Sequence, residues 1–215
     1  MRYFTPHQVS DHNTAEDCWI TIFHQVYDIS GLIQANSGEL TLPLVLHAGK
    51  DISHWFDPKT RDIHTRIDPF TNAKAPFYPN GRFLDVDLPS DSIPWWKSRE
   101  YVIGSLTKKP CSIEIVNVLT QQQHELEVCW EESIEEIQDR YLEYNAHAKS
   151  YTWKHLLDDV FVPLKMSETL EQNGVVDETP LLERLGLDER AYKPVLLVYF
   201  NDDLTVQTIC AELFL

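Results

Sequence analysis

The side chains best suited to chemistry in this 215-residue chain are its imidazoles and thiols. His24, His47, His54 and His64 all fall in the first third. Imidazole is the commonest side-chain ligand for transition metals, and whatever its second nitrogen bonds sets its orientation. His24 stands between two β-rich runs and reads as an exposed turn residue. His47 precedes Ala48-Gly49, and His54 falls on a turn capped by Asp51 beside Trp55. His64 lies in Arg61-Asp-Ile-His64-Thr-Arg66, which reads as a solvated helix face. Cys18, Cys111, Cys129 and Cys210 are scattered without a C-x-x-C pair, so neither zinc nor a redox dithiol is signalled. Buried thiols are the expectation. Nucleophile-elbow, phosphate-loop and metalloprotease motifs are absent, and the chain is expected not to be an enzyme.

The elements that must position these groups are legible in the first half. Thr5-Pro6-His7-Gln8 combines a hydroxyl cap, an early Pro and a Gln three residues after the cap, which predicts a helix start. Trp19–Phe23 and Val26–Ile29 are β-branched and aromatic, and His24-Gln25 between them predicts a hairpin. Ser30–Gln34 and Thr41–His47 read as short helices, and Asp51 caps the apolar turn Ile52–Phe56.

Arg2–Gln34, Ala48-Gly-Lys-Asp51 with Phe56, and Tyr101-Val-Ile-Gly-Ser-Leu-Thr107 together resemble the cytochrome b5 family. In that family the helix after Val-Tyr-Asp runs into His-Pro-Gly-Gly, whose His is an axial haem ligand. The matching position here is Asn36, and Asn is a poor iron ligand beside imidazole. Arg66 takes the place of the second ligand, two residues from His64. The resemblance therefore admits haem only through His64, as a single axial ligand or paired with a ligand from elsewhere. No resident cofactor of the family's bis-His type is expected.

Residues 57–100 interrupt the resemblance with a segment rich in Pro, Asp and aromatics. A long irregular stretch inside a compact domain is usually functional, and its aromatics predict that it is ordered against its own domain or a partner. Trp95 and Trp96 are read as its exposed interaction anchors.

The second half changes character near Lys108-Lys109-Pro110. Residues 1–108 hold ten Lys/Arg and thirteen Asp/Glu, whereas 109–215 hold eight and twenty-one. This acidity excludes nucleic acid and anionic membranes as partners and suits a basic or apolar one. No run approaches the ~20 apolar residues of a membrane span, and Met1–Gln8 lacks signal-peptide character, so a soluble intracellular protein is expected. Cys111–Thr120 and His124–Trp130 alternate as strands, and Glu131–Tyr144 carries Ile134, Ile137, Tyr141 and Tyr144 on one helical face. Tyr151–Trp153, Val160–Leu164 and Pro194–Phe200 supply further strands. A hairpin, a helix and more strands resemble a ubiquitin-like β-grasp. The expected class is α+β, with a degenerate cytochrome b5-like domain at 1–108 and a ubiquitin-like domain at 109–215.

Four motifs extend the resemblance over both halves: Arg2-Tyr-Phe-Thr-Pro6, Asp51–Ile63, Tyr144-Asn-x-His147-Ala-x-Ser-Tyr-Thr-Trp-Lys154, and Leu196-x-Val-Tyr-Phe-Asn-Asp-Asp-Leu-Thr205. They resemble a family of two-domain proteins of motile cilia and flagella. The resemblance implies a place in the axoneme on the radial spoke stalk, partners among spoke-stalk proteins, and support of coordinated beating. A haem-binding redox sensor at the same location is its alternative implication. Electron transfer of the ordinary cytochrome kind is disfavoured by the absent His-Pro-Gly-Gly.

Overall fold

The computed structural model describes residues 2–86, 88–89, 92–188 and 193–200. Its contacts divide the chain into two compact units, Met1–Thr107 and Lys108–Leu215. Cys210 and the Asn201–Thr205 end of the last motif lie outside the described residues.

The first unit opens with β1 (Tyr3–Phe4) and α1 (Pro6–Asp11). The Thr5 hydroxyl accepts from the Gln8 amide at 3.2 Å, while the Thr5 amide donates to Gln8 Oε1 at 2.8 Å, so the capping box forms. β2 (Trp19–Ile22) and β3 (Gln25–Asp28) make the hairpin, with Phe23 and His24 at φ 48° and 66°. Two left-handed residues match the twist of the flanking strands, as in a primed two-residue turn. After α2 (Ser30–Ala35) and α3 (Leu42–Val45) the chain makes a 3-10 turn at Ser53–Trp55. Asp51 Oδ1 caps that turn, accepting from the Ser53 amide at 3.3 Å and from Thr21 Oγ1 at 3.0 Å. In the 57–100 insertion, β4 (Thr65–Ile67) and β5 (Lys74–Pro76) form a hairpin, and Trp95–Lys97 is a second 3-10 turn. β6 (Val102–Leu106) closes a sheet ordered β1-β6-β3-β2, with β1 parallel to β6.

The second unit contains β7 (Pro110–Asn117), β8 (Gln123–Cys129), α4 (Ile134–Tyr141), β9 (Tyr151–Leu157), β10 (Val160–Pro163), α5 (Thr179–Leu185) and β11 (Val195–Phe200). The sheet order is β8-β7-β11-β9-β10, with β11, the last strand among the described residues, parallel to first strand β7. Inserting the final strand beside the first, between two hairpins, is the β-grasp order of ubiquitin-like folds. Ile113, Ile115, Leu196, Val198 and Trp153 from the sheet bury against Ile134, Ile137 and Tyr141 of α4.

Helix α4 is shorter than the expected Glu131–Tyr144. Ser133 caps it by a reciprocal bond set with Glu136, and the preceding Glu132 turns back to accept from the Cys129 amide at 2.9 Å. Helix α5 has no counterpart in the sequence reading and stops at Gly186, whose φ of 67° is left-handed.

Candidate functional site

Three of the four candidate histidines gather at Trp55. The His47 ring meets it edge-on at 4.9 Å and that of His54 at 6.1 Å, while the His64 amide donates to the Trp55 carbonyl at 3.0 Å. His24 stays exposed on its hairpin. His47 has both ring nitrogens engaged: Nδ1 lies 2.8 Å from the Pro43 carbonyl, and Nε2 lies 3.1 Å from Asn80 Nδ2. One neutral tautomer satisfies both bonds, donating to Pro43 and accepting from Asn80. His64 is not on a helix face, as the sequence suggested. It is half-buried in an extended stretch leading into β4, and its carbonyl accepts from the Phe77 amide at 2.7 Å. Asn36 ends α2, is exposed, and folds its side-chain amide back onto the Leu32 carbonyl at 2.9 Å.

These residues do not fit a haem of the family type. A bis-imidazole site needs a flat slot between two ring nitrogens, whereas aromatic side chains from the insertion fill this interior. Phe83 lies at the centre, with ring centroids 5.1 Å from Trp55, 6.3 Å from Phe56, 6.4 Å from Trp95 and 5.8 Å from Trp96. Ile33, Leu44, Ile52 and Leu84 belong to the same buried cluster. The indole nitrogens of Trp55 and Trp96 are buried without a hydrogen-bond partner. An indole N–H only donates and cannot ligate iron, so these two atoms add nothing to a haem ligand set.

The reading of Trp95 and Trp96 as exposed anchors is corrected. They are 2% and 7% exposed and belong to the core. Trp95 Nε1 donates to the Leu84 carbonyl at 3.2 Å, its amide donates to Asp85 Oδ2 at 2.9 Å, and the Tyr27 hydroxyl reaches the Trp96 carbonyl at 3.2 Å. Two adjacent indoles on a 3-10 turn point into the domain because burying each removes a large apolar area from water.

The exposed apolar residues of the insertion are elsewhere. Phe70, at the tip of the β4–β5 hairpin, is 95% exposed, and Ile67 and Ile93 are exposed as well. Asp68 pins the tip by accepting from the Phe70 and Thr71 amides at 2.8 and 3.0 Å, and these bonds hold its carboxyl below the usual carboxylate range. Asp68-Pro69-Phe70-Thr71-Asn72 is turn chemistry around an aromatic, which is the signal that would have located it.

Cys18, Cys111 and Cys129 form no disulfide among the described residues. Burial pushes Cys18 up to about 12, which leaves it a thiol rather than a nucleophile. Among the described residues no three His, Cys, Asp or Glu side chains cluster as a metal site, and no helix is long and apolar enough to cross a membrane.

Haemin titrated into the purified protein is expected to give no stoichiometric six-coordinate spectrum, and His64→Ala is expected to leave the titration unchanged. A sharp six-coordinate spectrum that disappears in His64→Ala would restore haem ligation at this site.

Comparison with known proteins places the same features in a family. Residues 5–69 match the family described as "Cytochrome b5-like Heme/Steroid binding domain". Over 213 residues the chain is 48% identical to human "Cytochrome b5 domain-containing protein 1", covering 95% of this chain and 92% of that protein. It is 46% identical to the Xenopus laevis protein of the same name, covering 95% of this chain and 96% of that one. Among solved structures, "Cytochrome b5 of Ostreococcus tauri virus 2" is 26% identical with a TM-score of 0.28, covering 48% of this chain and 95% of that chain.

Proposed function

The chain belongs to the family of cytochrome b5 domain-containing protein 1, and from that premise we propose that it is a non-catalytic docking component of the ciliary axoneme. Its place is on a radial spoke stalk, where it supports coordinated beating, and its partners are spoke-stalk proteins. The location is what the resemblance of the whole chain implies.

One observation carries the non-catalytic part of the reading. Phe83, Trp95 and Trp96 of the insertion fill the interior of the first unit, and Asn36 stands where the resemblance to the cytochrome b5 family puts an axial ligand. Such a domain keeps the scaffold without the redox group. The insertion that fills it also projects Phe70 and Ile67 on a pinned hairpin. Exposed aromatics on a rigid turn make good interface anchors, because little conformational entropy is lost on binding. The acidic surface disfavours nucleic acid and anionic membrane as alternative partners.

The test is axonemal retention. A Phe70→Ser/Ile67→Ser double variant, introduced into ciliated cells in place of the wild-type protein, should wash out of demembranated axonemes at lower salt. Its circular dichroism should match wild type. Retention of the folded variant through high-salt extraction would reject the hairpin as the anchor. Wild-type protein free in the cytosol of cells that build no cilia would reject the axonemal reading.

A further inference from the structure

A cavity of about 1020 Å³ opens in the second unit where β7 and β11 begin and β9 ends. Its lining includes His155, a residue that none of the preceding roles uses. His155 follows Trp153 by two positions on β9, so both face the core side of the sheet. It is 4% exposed, and its Nε2 has no hydrogen-bond partner. A buried polar atom left unpaired in a native protein calls for an explanation, and a ligand is one. The loop after Thr169 crosses the ring at Gly174, whose φ of 82° disfavours any L-residue there. A side chain at that position would sit 3.9 Å from His155 Cε1.

The walls beside the imidazole are aliphatic, from Leu157 and Val175. The rim is acidic. Lys109 is paired with Asp177, and Lys193 with Glu125 at 2.6 Å, while Glu114, Asp158 and Glu178 add three more carboxylates to the lining. This combination of an aliphatic throat, an excess of negative charge and a buried imidazole nitrogen suits a cation carried on an apolar stem.

We propose that this cavity receives an arginine side chain from a basic segment of a partner protein. The three methylenes lie along Leu157 and Val175. The guanidinium donates to His155 Nε2, in the ring tautomer with hydrogen on Nδ1, and to the rim carboxylates. Arginine is chosen over lysine because its planar fork satisfies a buried acceptor and a carboxylate together. The proposal deepens the docking reading with a second contact. It stands separately from the hairpin, because its readout is peptide binding in solution rather than axonemal retention.

The experiment titrates the ¹⁵N-labelled full-length protein with an acetylated Val-Arg-Val amide and with its citrulline counterpart, which keeps the shape and loses the charge. The arginine peptide should bind saturably and move the His155 Nε2 resonance. The citrulline peptide should bind at least roughly tenfold more weakly, as expected for losing a charge-assisted bond. Glu178→Gln should weaken arginine binding, and His155→Phe should abolish it. Val176→Trp, at an exposed lining position outside the core, should weaken it too and guards against misfolding of the His155 variant. No saturable binding, equal binding of the two peptides, or full binding by a folded Val176→Trp protein would overturn the proposal.

Discussion

Trp95→Ala should lower the unfolding free energy of the first unit by about 3–5 kcal/mol, the range for deleting a buried Trp or Phe. The indole is among the largest fully buried side chains described and packs edge-on against Tyr27 at 6.3 Å and Trp96 at 5.6 Å. Its removal opens a cavity beside Phe83 and orphans the Leu84 carbonyl that Trp95 Nε1 serves at 3.2 Å. Rigid ring neighbours collapse poorly, which puts the expected effect toward the upper end of that range. Since whole domains are stable by only about 5–15 kcal/mol, the first unit should become marginal. Hydrogen exchange on the full chain reads this directly: amides of β2 and β3 should lose protection while those of β7 and β11 keep theirs. A variant with unchanged protection and diminished partner binding would return Trp95 to the surface role that its sequence context suggests.

Gly104→Ala should destabilise the same unit by about 3 kcal/mol, the upper end of the usual overpacking range. A Cβ on Gly104 would stand 2.3 Å from the Arg2 carbonyl oxygen and 2.7 Å from Phe4 Cε2. The nearer atom is backbone and cannot swing aside, so β1 must separate from β6. That separation breaks Ser105 N to Arg2 O at 3.0 Å and Thr107 N to Phe4 O at 2.9 Å. Gly31 in α2 is the control, because nothing lies within 4 Å of its Cβ position. Gly31→Ala should be neutral or stabilising by up to about 1 kcal/mol, as helix propensity favours Ala over Gly. Urea midpoints of the two variants make the comparison. A Gly104→Ala midpoint equal to wild type would mean that β1 is not held as described.

Several features with a local cause were legible in the amino-acid sequence, although the Ser133 cap of α4 and the whole of α5 were not read from it. Thr5 with Gln8 announces its own helix cap, since all the bonding atoms lie within four residues. His24-Gln25 announces a hairpin by the two β-branched runs it separates, and the structure sets the turn one residue earlier, at Phe23-His24. The acidity beyond Lys109 is a fact of composition, and Asn36 at the ligand position is what the resemblance to the cytochrome b5 family implies; both are independent of any packing. The ubiquitin-like unit was legible as a sequence of elements, because alternation and helical periodicity survive without knowledge of the partners.

The tertiary structure decided which faces are covered. Trp95 and Trp96 sit in a Pro-rich stretch with no periodicity to say which way they point, and only Phe83 and Trp55, each more than ten residues away, determine that they are interior. Phe70 is exposed for the complementary reason: a hairpin of two three-residue strands offers it no second layer. His64 left its expected helix because its backbone bonds to Trp55 and Phe77 instead of to its own turn. The vacant nitrogen of His155 depends on β9, β11 and the Gly174 loop meeting at one point, which no spacing in the chain encodes. Hydrogen bonds within a few residues are written in the order of the residues, whereas burial is a property of neighbours that only the folded chain brings together.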